Sequence, residues 1–267
     1  MNFADLGLNE KTIKAINDAG FEAPTTVQVD VIPSILAGKD VFTIAPSGCG
    51  KTCSYVLPMV DIISRRFAQN ILIITANSKQ SVKVSDQFAV FNKYHEISDT
   101  TLTDSEEEIN QEANVIIASP DLLVDLLNEE KIDLSQINIL VVDDINLIKK
   151  MHQLDNLEKV LAVLPADKQN IVFTNRRSKE TQSILDKILQ TPEEIKIDRH
   201  KEQEAVHTEE KLAPKPTEKT KKNSKKTVAK TSSEQDAEAM DLVEKYHVFG
   251  RKTPEFLLTK VILADDN

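Results

Sequence analysis

"DVFTIAPSGCGKT", residues 40–52, decides the fold. It opens with a short apolar run containing Val, Phe and Ile, the composition of a strand covered on both faces. Residues 45–52 then place Gly48 and Gly50 ahead of Lys51 and Thr52, the Gly-rich turn that joins a strand to a helix in a phosphate-binding loop. The glycines let backbone N–H groups turn inward around phosphate oxygens, and the helix start adds positive potential. Ser47, Gly48, Cys49 and Gly50 form this cradle. Lys51 is expected to reach the β- and γ-phosphates, and Thr52 to ligate magnesium. The first loop position is Ala45 instead of Gly, so the strict pattern is missed at one residue.

Outward from this loop the chain repeats one alternation. Strand-like runs rich in Ile and Val lie at 40–45, 70–75, 114–119, 137–143, 170–174 and 194–198. Helix candidates between them include 52–66, 119–128, 154–164 and 178–189. Strand followed by helix, repeated, predicts an α/β fold: a parallel sheet with right-handed crossovers and helices on both faces. Ahead of the first strand, two helices are expected. Asn9 caps one and Gly20 follows it; Thr25 or Thr26 caps the other and Gly38 closes it. The strand 137–143 ends on Asp143, and Asp144 follows it. A buried strand that delivers acids at its tip suits a cation, so Asp143 is the expected partner of the loop, holding the metal with Thr52. Asp144 is the expected orienter of the attacking water.

Of 267 residues, 40% are hydrophobic and 4% aromatic, so a sizeable core must be mostly aliphatic. The formal net charge is −10, which argues against a protein that simply coats nucleic acid. Residues 211–230 hold eight Lys and one Glu, leaving the other 247 residues at −17. This arm cannot bury enough surface to order itself. It is read as part of a Lys-rich disordered linker, 199–241, and as a candidate contact for RNA or a ribonucleoprotein. Two Cys, Cys49 and Cys53, do not make a disulfide framework. The start has neither a basic region nor an apolar core, and no run approaches the roughly 18 residues of a membrane span. A reducing, cytoplasmic setting without membrane contact is expected.

With the loop and the acidic strand end in place, residues 1–198 resemble the first RecA-like, ATP-binding domain of the DEAD-box RNA helicases. "GFEAPTTVQ", residues 20–28, is similar to that family's Q motif. The resemblance implies that Gln28 reads the adenine edge, helped by the turn at Thr25 and Thr26 beside Phe21. It also implies that Phe3, seventeen residues before Gly20, stacks on the base. The cofactors so implied are ATP and Mg2+. Residues 242–267 resemble, more weakly, the start of a second RecA-like domain.

The departures from the family pattern cluster. Asn77 stands where the family has an arginine, Asp121 and Leu122 replace Gly and Arg, and the acidic stretch 99–108 lacks a glycine pair. In the family these places grip the RNA backbone, so the changes remove positive charge and add negative. The family signature reads Asp143-Asp144-Ile145-Asn146 here, and Thr174-Asn175-Arg176 stands for Ser-Ala-Thr. Three readings follow: an ATP-binding, helicase-like protein with weak or no unwinding alone; an active RNA-stimulated ATPase or helicase completed in trans; and an interaction module working through the Lys-rich arm.

Overall fold

The computed structural model describes residues 1–65, 70–103, 109–110 and 113–197. The linker and the 242–267 segment anticipated above lie outside these residues, as does the end of the 52–66 helix.

A 3-10 turn at Phe3–Leu6 leads into α1 (Glu10–Asp18) and α2 (Thr26–Leu36). Asn9 caps α1, its side chain accepting from Thr12 N, and Thr25 is the cap residue of α2. Gly20 and Gly38 follow these helices with φ of +78° and +75°, a left-handed exit open to glycine at little cost. The order then runs β1 (Val41–Ile44), α3 (Lys51–Arg65), β2 (Ile71–Ile74), α4 (Ser78–Phe91), β3 (Asp99–Thr101), β4 (Val115–Ala118) and α5 (Pro120–Asn128). It continues with β5 (Ile139–Val142), α6 (Ile145–Lys150), α7 (Leu154–Val163), β6 (Gln169–Thr174), α8 (Lys179–Ile188) and β7 (Glu193–Lys196).

The seven strands form one parallel sheet in the order β3-β4-β2-β5-β6-β1-β7. From β1 the chain steps toward the β3 edge, then turns back through β4, β5 and β6 to β7. Right-handed crossovers that reverse direction must place their helices on opposite faces. The core divides accordingly. Val41, Ile71, Ile73, Val141 and Phe173 face a cluster with residues of α1 to α4, while Phe42, Leu72, Ile74, Val142 and Val172 face one with residues of α5 to α8. The side-chain period of two thus sends successive residues into two separate cores, which is why these strands are apolar throughout.

Two elements exceed the sequence reading, which assigns no helix or strand between Thr75 and Asn114. The helix α4 starts at Asn77, whose Oδ1 accepts from Gln80 N at 3.0 Å. Among the described residues β3 pairs with β4 alone, at the sheet edge.

Candidate nucleotide site

The direction change puts β5, β6 and β1 side by side, so their C-terminal tips share one edge. The loop after β1 is held from behind. Thr25 Oγ1 donates to the Cys49 carbonyl at 2.9 Å, and Gln28 Nε2 to the Gly50 carbonyl at 3.4 Å. Lys51 Nζ donates to the carbonyls of Ala45 (3.0 Å) and Pro46 (3.2 Å), and Cys49 Sγ to that of Pro46 (3.0 Å). Four loop carbonyls are therefore engaged by side-chain donors. Among the described residues, the amides of Ser47, Gly48 and Gly50 donate to no protein acceptor. Gly48 and Gly50 have φ of +84° and +92°. A Cβ at Gly50 would stand 2.8 Å from Gln28 Nε2, whereas one at Gly48 would meet nothing within 4 Å. N–H groups without a protein acceptor at a helix start, beside a lysine, are chemically suited to an anion.

Gln28 is 2% exposed, and its Oε1 accepts from Thr25 N at 2.9 Å, so both ends of its amide are engaged with the chain. Phe3 is 5% exposed and packs in the core with Leu6 and Ile16, offering no open ring face. Phe21 is half-buried, its ring 5.7 Å from that of Phe91. Thr26 is the first residue of α2, and Ser47 and Gly48 are exposed at the loop's tip. Cys49 and Cys53 are buried free thiols. Cys53 donates to Gln87 Oε1 at 3.0 Å, and burial pushes its pKa up to about 12, which disfavours its thiolate.

Asp143 is half-buried at the β5 tip. Burial, reinforced by the neighbouring charge of Asp144, pushes its carboxyl pKa up to about 6, with Lys51 acting in the opposite sense. A carboxylate so short of positive charge is suited to a cation. Thr52 stands half-buried at the start of α3. Among the described residues no set of three His, Cys, Asp or Glu could hold a metal ion. Thr52 and Asp143 thus fit a magnesium ion only as two ligands beside phosphate oxygens and water. Asp144 follows Asp143 and caps α6, its Oδ1 accepting from Leu147 N at 3.2 Å, with φ of +57°.

Asn146 Nδ2 lies within hydrogen-bonding distance of Thr174 Oγ1 (2.7 Å), Asn175 Oδ1 (3.1 Å) and the Arg176 carbonyl (2.6 Å). The Thr174 carbonyl in turn accepts from Ala45 N at 2.9 Å. The β5 and β6 tips and the loop are consequently one connected unit. Away from it, Asp121 accepts from Ser119 Oγ at the start of α5, and Leu122 is 8% exposed. Sequence reasoning passed over Tyr55, which lies fully buried behind Asp143 and Thr52. Its only sequence signal is a phenol three residues past Thr52 in an otherwise apolar helix face.

These features define a class: a RecA-like parallel α/β domain with a phosphate-loop sequence at the point where the sheet reverses. The family model for the DEAD/DEAH box helicase matches residues 25–184, and the chain belongs to that family. It is 29% identical over 202 residues to the DEAD-box ATP-dependent RNA helicase RhpA of Helicobacter pylori, covering 73% of this chain and 41% of that protein. To the ATP-dependent RNA helicase DeaD of Haemophilus influenzae it is 30% identical over 206 residues, covering 74% and 33%. The chain thus spans less than half the length of these relatives. Among solved structures it is similar to a DEAD box protein from Methanococcus jannaschii, with TM-score 0.69, 23% identity, and coverage of 74% and 56%. A hypothetical ATP-dependent RNA helicase from Sulfolobus tokodaii follows with TM-score 0.66, 27% identity, and coverage of 71% and 57%. Among the described residues no helix is long and apolar enough to cross a membrane.

Proposed function

We propose that this chain binds ATP with Mg2+ at the 45–52 loop and, alone, unwinds RNA weakly or not at all. The observation that carries the binding is the polarity of the loop: its carbonyls are tied back by Thr25, Gln28, Lys51 and Cys49, while the amides of Ser47, Gly48 and Gly50 donate to no acceptor among the described residues. Lys51 leaves its two carbonyl contacts to meet the phosphates. Thr52 and Asp143 hold the Mg2+, which when bound neutralises developing charge on the phosphates. Gln28 serves the base through the loop it braces, and its amide reaches the adenine edge by exchanging the Gly50 contact. ATP titration tests this. Lys51→Ala should weaken binding by about 10–100-fold, as expected for a charged contact; equal, negligible binding by wild type and variant overturns the reading.

Weak unwinding rests on side chains that have internal occupations. Asn77 caps α4, Asp121 accepts from Ser119, and Leu122 is buried. None presents a cation to an RNA phosphate. Asp144 caps α6 through one oxygen and is one methylene shorter than the Glu of the family pattern, so hydrolysis by the isolated chain is expected to be slow. The names of the relatives support a second reading, an RNA-stimulated ATPase whose other half comes in trans. Strong RNA-stimulated turnover by the isolated chain would favour that reading.

A further inference from the structure

Tyr55 lies on α3 with its side chain fully buried, its ring 5.3 Å from that of Phe173 and tilted by 51°. The hydroxyl has no hydrogen-bond partner of adequate geometry. A buried hydroxyl left in that state is costly, and native proteins keep few of them. Two oxygen-bearing groups lie near it: burial pushes its pKa well up, Asp143 adds to that rise, and Thr52 acts in the opposite sense. Both are the residues assigned above to the cation. Phe173 fixes the ring from β6, the strand between the Asp143 strand and the loop strand. The phenol therefore has little freedom.

We propose that Tyr55 is a positioning residue of the nucleotide–cation site: its hydroxyl donates to Asp143 and fixes the rotamer with which that carboxylate faces Mg2+. The inference rests on the ATP reading above and adds a residue that touches neither phosphate nor metal. A carboxylate ligand held by an outer donor loses one freedom before the cation arrives. The hydroxyl's unmet hydrogen bond is then completed on loading and left incomplete without it.

Tyr55→Phe keeps the ring against Phe173 and removes only the oxygen. In thermal melts of the full chain with saturating ATP, Mg2+ is titrated and each protein is read against its own Mg2+-free ATP melt. The expected result is a Mg2+ midpoint about 10–100-fold higher in the variant, the usual effect of losing an outer-shell partner. The ligand-free melting temperature should stay level or rise, because an unsatisfied buried group has been removed. An unchanged Mg2+ midpoint overturns the proposal, the more so if the ligand-free variant is less stable, since the hydroxyl then serves only the fold. Absence of any ATP shift in wild type and Lys51→Ala alike removes the nucleotide reading and Tyr55's role with it. An ATP shift with a Mg2+ midpoint indifferent to Tyr55→Phe removes Tyr55's role alone.

Discussion

Asp144 turns the chain and caps the next helix with the same residue. A left-handed conformation costs most side chains roughly 1–2 kcal/mol, but Asp and Asn tolerate it, and both accept well at an N-cap. Asp144→Asn should be nearly neutral in chemical denaturation, and Asp144→Ala should lose about 1–3 kcal/mol as cap and conformation are both disfavoured. His95 gives a second residue-scale test. It is 9% exposed, its Nε2 lies 3.1 Å from Thr12 Oγ1, and that hydroxyl donates to buried Asp61 at 3.1 Å. Nε2 therefore carries the hydrogen, and Nδ1 is buried without a partner. Burial, with Lys11 nearby, lowers the imidazole pKa from 6.5, against the pull of Asp61. The unfolded chain thus takes up a proton before the folded one. Stability is full above about pH 6.5 and should fall as pH drops below it. Urea midpoints between pH 7 and 5 should decline less in His95→Asn. The cap at Asn9 was legible because capping is local. Tyr55 was not, because its role exists only where α3 meets the β5 tip.

The loop and the start of α2 behave as one element. Gly50 allows Thr25 and Gln28 to approach: an added Cβ would lie 3.0 Å from Thr25 Oγ1 as well as 2.8 Å from Gln28 Nε2, at φ +92°. Gly50→Ala should weaken ATP binding more than tenfold and lower the melting temperature. Gly48→Ala, with open space around it, should show chiefly the conformational cost of about 1–2 kcal/mol. Paired ATP titrations and melts would separate the two, and equal losses would show that Gln28 does not brace the loop. The strands with apolar runs were readable from composition, since two buried faces leave a continuous signal. The strand β3, Asp-Thr-Thr, has no such run because among the described strands it borders the sheet, beside β4. In α4, Ser78, Lys79, Gln80, Lys83 and Ser85 dilute the stripe formed by Val84, Phe88 and Phe91.

Over the whole chain, charge is divided between an acidic majority and the basic segment 211–230. RNA retained by the full chain at low salt should weaken steeply as salt rises, persist in Lys51→Ala, and vanish when 211–230 is deleted. Filter binding across a salt series checks this; retention after deletion would place the contact on the folded domain. The sheet order has a bearing on synthesis as well. Among the described strands, the one that carries the phosphate loop is made first, yet its neighbours on both sides, β6 and β7, are made last. A growing chain that has emerged only to residue 168 gives β1 nothing to pair with, and the loop no anchor at Thr174. Such a nascent chain is therefore expected to ignore ATP, and the nucleotide can act as a ligand only of a domain whose synthesis is complete.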